Sequence, residues 1–369
     1  MLYLNFAGLS PERFESKEQA STVQRQFEAM LFSEPGVRWY SDQLDRCRRV
    51  IHEFLSIDKN DSPSHVMFVS NSTTAFQIIL SNIELTSGDV VLSSDQEHPG
   101  IIRSIARLGT KGVQLQVVGG ESEDDFCQNL EDAIFKYNPR LLIVSHVAYT
   151  DGRVFPLTRI CALAKKKNVI VAIDGAQAIG HIPINMHGID TDFYFFSGHK
   201  WCCGPMGTGV LLVTEKYLTR KPSMRVELLR ESNSVQKYFD LGTQHVGNIA
   251  GLARACELRK TELPTATICL YKLQEKLLTL VKSLGRVHIR RWKGAHAPGI
   301  CTLQLEGDRV NPSLLTDYLI QHYGIAIKPF NYPEDPGLIR ISYSESTSES
   351  DIQTVVDRLA DALSTLNRS

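Results

Sequence analysis

Between about residues 60 and 215 the chain alternates short, unbroken apolar runs with segments whose apolar residues recur at helical spacing. The runs HVMFVS, DVVLSS, VQLQVVG, RLLIVSHV, VIVAID, DFYFFS and GVLLV read as strands. TTAFQIILSNIE, PGIIRSIARLG and LTRICALAKKKN read as the helices between them. Strands apolar on both sides must be covered on both faces, which a sheet wrapped by helices provides. The expected fold class is α/β with a doubly wound sheet. From about Ala250 a long helical stretch leads into GICTLQLEG, a helix at PSLLTDYLIQHYG, a strand at LIRISYS and a final helix, SESDIQTVVDRLADAL. That order describes a separate α+β domain. Pro11, Ser33 to Gly36 and Gly285 to Gly299 read as loops, and no repeat or low-complexity tract interrupts the chain.

Composition excludes more than it assigns. A chain of 369 residues with 43% hydrophobic content and a formal net charge of -1 can fill two cores, and it offers no charge excess for nucleic acid or a membrane surface. The start, MLYLNFAGLSPERF, lacks a basic stretch followed by an apolar core, and no segment reaches the roughly 18 apolar residues of a membrane span, so a cytoplasmic location is expected. The eight cysteines have no C-x-x-C spacing, which supports neither a metal cluster nor a disulfide framework and leaves them as reduced thiols.

In α/β sheets ligands gather at the carboxyl ends of the strands, so the residues that follow each strand belong on one list. After HVMFVS come Asn71, Ser72, Thr73 and Thr74 and then an apolar helix, which is either a capped helix start or a phosphate site made from one. After DVVLSS, His98 precedes Pro99 and a helix, placed either to cap it or to stack on a flat ring. VAID ends in Asp174, and after it come Gly175, Ala176 and Gln177, whose amide could reach a phenolic oxygen. DFYFFS ends in Ser197, which with Gly198 and His199 makes a polar turn suited to a phosphate dianion, and Lys200 follows with an amine.

Asp174 and Lys200 carry the chemistry. An amine condenses with an aldehyde only when unprotonated, and partial burial favours that form. An acid facing a pyridine nitrogen keeps it protonated, so the ring accepts electrons released at a substrate's alpha carbon. The pair points to pyridoxal 5'-phosphate. The glycine-rich GPMGTG run precedes a strand, whereas a dinucleotide fingerprint follows a strand and opens a helix, so a nucleotide-dependent dehydrogenase is disfavoured.

NSTTA, EHPG, SHVAYTDGRVFPL, DGAQAIGHIPI, SGHKWCCGPMGTG, LGTQHVGNIAGL and LIRISYSESTSESDI span nearly the whole chain. In that order they resemble the class V aminotransferase-fold enzymes of the cysteine desulfurase and selenocysteine lyase superfamily. NF-small-G at the amino end, EHPGII and GHKW with its trailing glycines are similar to the cystine C-S lyase type. The resemblance implies the pyridoxal-phosphate-dependent transferase fold of type I. Its large domain would cover residues 15–250, with a small domain from 1–14 and 251–369. It also implies phosphate contacts from Thr73, Thr74, Ser197 and His199, ring stacking by His98, pyridine pairing by Asp174 and a bond from Gln177 to the phenolic oxygen. Thr243 corresponds to a phosphate ligand given across a dimer interface, which implies a homodimer with shared sites. Arg340 falls on the arginine that holds an amino-acid carboxylate, and Asn5 and His146 are expected to line the substrate pocket. Arg38, Trp39, Tyr40 and Tyr238 lie on segments read as pocket loops.

The resemblance leaves the reaction open. Sulfur transfer to the enzyme needs a mobile cysteine shortly before the carboxylate-binding arginine, and HYGIAIKPFNYPEDPGLIR holds none. Cys202 and Cys203 follow Lys200 immediately, on a tether that keeps them packed. The expectation is therefore a C–S lyase: Lys200 removes the α-proton and a β-sulfur group leaves. The alternatives are desulfurase-like transfer, transamination or epimerisation, and a scaffold that binds the cofactor without turnover. No metal site is expected.

Overall fold

The computed structural model describes residues 1–31, 33–57, 65–221, 242–285, 287–306, 310–332 and 335–366. The chain divides into two compact units, one made of Pro11–Val147 and Phe155–Thr261, the other of Met1–Ser10, Ala148–Val154 and Glu262–Ser369. The last of these boundaries, between Thr261 and Glu262, falls inside the helix Val246–Val281, close to Pro264, which cannot donate to the helix ladder.

After a short strand, β1 (Leu2–Tyr3), which belongs to the smaller unit, the larger unit opens with two helices, α1 (Phe14–Glu28) and α2 (Glu34–Phe54). The segment from Ser33 to Gly36, read as a loop, is the start of α2. Ser33 caps it by accepting from Gly36 N–H at 3.1 Å, and a proline occupies the first turn, where its missing N–H costs nothing. There follow β2 (Val66–Val69), α3 (Ser72–Asn82), β3 (Val90–Ser94), α4 (Pro99–Ala106), β4 (Gln114–Val118), α5 (Glu123–Tyr137) and β5 (Leu141–Ser145). Next come α6 (Leu157–Lys165), β6 (Ile170–Asp174), β7 (Phe193–Ser197), β8 (Gly209–Val213) and α7 (Glu215–Arg220). All seven expected strands are present.

They form one sheet in the order β2-β8-β7-β6-β5-β3-β4. Only β8 runs against its neighbours, pairing antiparallel with both β2 and β7, so the other six strands point the same way. Their carboxyl ends share an edge, and Asn71, His98, His146, Asp174 and Lys200 follow those ends. Every residue of β3, β5, β6, β7 and β8 is buried, which explains their unbroken apolar sequences, whereas β4 at the margin is exposed or half-buried up to its last residue, Val118. Phe76, Ile79, Ile101, Leu141, Ile143, Phe193, Phe195 and Leu211 belong to the core on one side of this sheet.

The smaller unit contains a four-stranded antiparallel sheet, ordered β12 (Lys328–Tyr332), β13 (Asp335–Ser342), β10 (Ile300–Leu305), β9 (Val287–Arg290). The strand β9 lies within the stretch from Gly285 to Gly299 read as a loop; it pairs with β10 and alternates between its buried Val287 and outward positions. A separate parallel pair joins β1 to β11 (Ile325–Ala326). Leu270, Leu273 and Leu277 of the long helix, Leu315 and Leu319 of Pro312–Tyr323, and Val355 and Leu359 of Glu349–Leu366 pack with Leu303, Ile339 and Ile341 in this unit's core. Among the described residues no helix is long and apolar enough to cross a membrane.

Candidate active site

Asp174 ends β6, buried at 5% exposure, and its Oδ1 accepts the N–H of Ala176 at 2.9 Å. Burial pushes its carboxyl above the usual range, while the charge of Lys200, the Ala176 N–H and the Ser72 hydroxyl pull it back. A cation brought to this carboxylate would act in the same direction as Lys200. Beneath it stands Tyr194, wholly buried, with its hydroxyl 2.9 Å from Nδ1 of His146. A Cβ at Gly175 would lie 2.3 Å from the Tyr194 ring, so glycine is needed for the chain to turn over that ring. His146 also donates its backbone N–H to the Asp174 carbonyl at 2.8 Å, and burial lowers its imidazole pKa to about 4. The structure therefore puts His146, expected at the substrate pocket, in the buried layer that supports Asp174.

Lys200 is half-buried in a turn stitched at both ends. Gly198 N–H donates to Thr208 at 2.8 Å, Gly204 N–H to Gly198 at 2.9 Å and Cys203 N–H to the Lys200 carbonyl at 2.8 Å. Cys203 takes the left-handed backbone at φ 56° to complete it. Cys202 is buried as a free thiol, hydrogen-bonded with the Cys256 thiol and donating to the Ile179 carbonyl at 3.9 Å; it is packed, as its tether suggests. His199 is half-buried, and its Nδ1 is shielded from solvent with no hydrogen-bond partner. Burial and the Lys200 charge lower its pKa to about 4, so it stands neutral near pH 7.

Ser197 and the start of α3 meet across the sheet edge. Ser72 N–H donates to Ser197 Oγ at 2.9 Å, and the two hydroxyls are also 2.9 Å apart. Asn71 caps the helix by accepting from Thr74 N–H at 3.0 Å. Thr74, expected to hold phosphate, thus has its amide committed to the cap, and its hydroxyl lies 2.9 Å from Ser70 Oγ. Thr73 is half-buried, and its Oγ1 lies 2.8 Å from where a Cβ at Gly100 would be, with His98 Nδ1 at 3.1 Å from the same point. His98 is exposed; its Nδ1 accepts the Gly100 N–H at 3.1 Å, so it caps α4 while its ring face stays accessible. Capping and stacking, left as alternatives by the sequence, are compatible.

Gln177 is buried, and its Oε1 accepts the indole N–H of Trp201 at 2.7 Å, which turns the amide nitrogen the other way as a donor. Trp201 is itself stacked on His181 at 3.6 Å. Thr243 is exposed, and the next residue, Gln244, donates its N–H to Tyr40 Oη at 2.7 Å. Trp39 stacks on Phe27 and Arg38 pairs with Glu34, both on α2 and its neighbour rather than on a loop. Tyr238 lies outside the described residues.

The residues present fit pyridoxal phosphate. The orphaned His199 Nδ1, the helix start of α3 and the serine pair suit a phosphate, Asp174 suits a cationic ring nitrogen, and the space above Gly100 is free of any side chain of its own. Tyr194 and Glu97 belong to this region but carry no signal in the sequence: Tyr194 reads as one more apolar strand residue, and Glu97 as the neighbour of His98.

In the smaller unit Arg340 follows the alternation of β13, with Ile339 and Ile341 in the core and Arg340 on the other face, pairing in register with Thr302 and Lys328. It is only 3% exposed. Its Nη1 donates to the Tyr149 carbonyl at 2.5 Å, its Nη2 to Asn5 Oδ1 at 3.0 Å, and its guanidinium lies 5.4 Å from the Phe330 ring centroid. A Cβ at Gly8 would come within 2.8 Å of the Asn5 amide, so glycine leaves room for the Asn5 contact. Nearby, Asp151 and Arg153 form a buried pair at 2.7 Å, with Arg153 over Trp292. Among the described residues no cluster of His, Cys, Asp and Glu could hold a metal ion.

A cysteine desulfurase, IscS, of Proteus mirabilis is 23% identical over 99% of this chain and 93% of its own length. That of Serratia proteamaculans is 25% identical over 68% of this chain and 61% of its own. Among solved structures, the cystine C-S lyase C-DES in complex with cysteine persulfide matches with a TM-score of 0.82 at 24% identity, covering 97% of each chain. The NifS-like protein from Rickettsia africae matches with a TM-score of 0.82 at 20% identity, over 99% of each. These likenesses show the fold. Residues 36–354 match the model of the aminotransferase class-V family, and the chain belongs to that family.

Proposed function

We propose that this protein is a pyridoxal-phosphate-dependent C–S lyase that acts on cystine, cysteine or a related sulfur amino acid by α-proton removal and β-elimination. The observation that carries this reading is the buried Asp174 electrostatically coupled to Lys200, with His98, Gln177, Ser197 and the orphaned His199 at the same sheet edge. When bound, the cofactor supplies an electron sink at the substrate's alpha carbon. Asp174 holds a proton at the ring nitrogen, His98 covers a ring face, and Gln177 donates to the phenolic oxygen. Thr73, Thr74, Ser197 and His199 bind the phosphate, with Thr74 doing so through its hydroxyl while its amide serves the cap. Lys200 receives the α-proton on Nζ and returns it to the departing sulfur. Arg340, aligned by Asn5, binds the substrate α-carboxylate with its planar fork. The products are aminoacrylate, which hydrolyses to pyruvate and ammonia, and the sulfur fragment: a persulfide from cystine, hydrogen sulfide from cysteine or a thiol from a thioether.

Elimination is favoured over sulfur transfer because no cysteine lies between Tyr323 and Arg340. Cys202, Cys256 and Cys301 are buried, and Cys203 and Cys269 only partly exposed. The exposed Thr243 supports the reading of a homodimer in which it reaches the phosphate of the other copy's site. Free cysteines throughout the described chain support a cytoplasmic location. The testing experiment incubates the purified enzyme with L-cystine, L-cysteine and S-conjugates and identifies products by mass spectrometry. Pyruvate with a thiol or persulfide is expected. Alanine would indicate desulfuration, accumulation of the pyridoxamine form transamination, and either outcome would sink the lyase assignment.

A further inference from the structure

Glu97 is not used by the reaction above, yet it is only 5% exposed and lies at the same sheet edge. Its Oε1 accepts from Ser94 Oγ at 2.6 Å and from Ser145 N–H at 2.7 Å, and its Oε2 accepts from Ser145 Oγ at 2.9 Å. Ser94 ends β3 and Ser145 ends β5, which are neighbouring parallel strands. Ser145 in turn stands in register with Asp174 across β5 and β6, and the next residue, His146, donates to the Asp174 carbonyl. One carboxyl group therefore joins the ends of two strands, and the second of these is laddered to the strand that carries Asp174. The residue that follows Glu97 in sequence is His98.

We propose that Glu97 is a positioning residue that sets the spacing between the His98 imidazole and the Asp174 carboxylate, and hence the width of the slot in which the cofactor ring is held. This rests on the cofactor reading above. The 95–98 turn is tied to the strand ends by the Asp95 N–H on the Val118 carbonyl at 2.9 Å and the Gln96 N–H on Ser94 Oγ at 3.2 Å, and the Glu97 crosslink adds the tie next to His98. Those contacts need two oxygens reaching Ser94 and Ser145 together, not a charge. Burial, with the nearby Asp174 charge adding to it, raises the Glu97 carboxyl to about 8, so a neutral group of the same shape is adequate. Glutamine keeps Oε1 on Ser94 and the Ser145 N–H, and its amide nitrogen can donate to Ser145 Oγ once that hydroxyl rotates. Alanine removes all three bonds.

The test compares wild type, E97Q, E97A and S145A, the last removing one hydroxyl while the Ser145 N–H contact remains. Three readouts are taken: the dissociation constant of pyridoxal phosphate, the induced circular dichroism of the bound cofactor per mole bound, and hydrogen exchange of residues 95–100 in the apoprotein. E97Q is expected within about twofold of wild type, whereas E97A is expected to bind the cofactor about tenfold or more weakly, with altered dichroism and faster exchange. S145A falls between, at about threefold, and carries the test if E97A does not fold. Wild-type values for both E97A and S145A would overturn the proposal, as would E97Q behaving like E97A, which would assign the effect to charge. Failure of the cofactor reading looks different: wild type would then show no visible absorption band that K200A removes, whatever Glu97 does.

Discussion

The hydroxyl of Tyr194 lies 2.9 Å from Nδ1 of His146, and the same phenol ring fills the space that any side chain at position 175 would need. A polar contact inside an apolar strand thus supports the turn that follows Asp174. Replacing Gly175 by alanine forces a Cβ to within 2.3 Å of that ring. G175A is expected to lose about 1–3 kcal/mol of stability through overpacking and to bind pyridoxal phosphate more weakly. Y194F removes the hydroxyl and leaves a buried imidazole nitrogen unsatisfied, at a cost of about 1–3 kcal/mol. Urea unfolding of the apoproteins checks both, and wild-type midpoints would contradict the packing described.

Arg340 is held by the Tyr149 carbonyl and Asn5 with its fork formed before any ligand arrives. R340A is expected to raise KM for amino-acid substrates about 100-fold or more, the size expected when one partner of a buried charge pair is truncated. R340K restores the charge but not the paired N–H groups, and N5A leaves the fork poorly aligned, so both fall between. Initial-rate kinetics with cystine decide this. An R340A enzyme with unchanged KM would show that the carboxylate binds elsewhere.

Cys202 and Cys203 should be replaceable. If sulfur leaves with the product, C202A and C203A keep pyruvate formation within about threefold of wild type, since each thiol acts as a small packed side chain. Loss of turnover in C203A, with the cofactor still bound, would return the reaction to sulfur transfer.

Stability should depend on pH in opposite senses at two places. His146 and His181 are buried neutral, with pKa values of about 4 and about 3 against 6.5 for an ordinary imidazole. Their folded values are depressed, so the unfolded chain takes up protons first as pH falls. Their contribution is whole above pH 6.5 and is lost on the way down through about 4 and about 3, each on the order of a few kcal/mol. Glu97 has a folded value raised to about 8 against 4.5, so its contribution is whole below pH 4.5 and is lost as pH rises through about 8. Urea midpoints measured from pH 4 to pH 9 are expected to show both limbs. H181F keeps the stack on Trp201 and should flatten the acid limb, and E97Q should flatten the alkaline one; unchanged slopes would count against these assignments.

Six of the seven strands of the large sheet were legible because every residue in them is buried, which leaves an unbroken apolar run, whereas β4 at the margin is only partly buried and mixes glutamines into its run. Asp174 and Lys200 were legible because they end such runs. Helix α2 was not, since Pro35 and Gly36 read as a turn when they mark the first turn of a helix capped by Ser33. Strand β9 was lost among glycines, as only Val287 of its four residues is buried. Glu97 and Tyr194 share a different obscurity: each finds its partner on a segment distant in sequence, at Ser145 and His146, and spacing along one chain carries no record of such meetings.

The reversed strand β8 also governs when the site can exist. In the large sheet β2, which carries Asn71 and the start of α3, pairs only with β8, and β8 joins it to β7 and the lysine turn. During synthesis the amino-terminal strand therefore waits for some 140 residues of later chain, and loops of that length close slowly. Until Gly209–Val213 emerges and inserts, the start of α3 has no sheet to hold it beside the lysine turn, so this edge of the larger unit is completed late in synthesis.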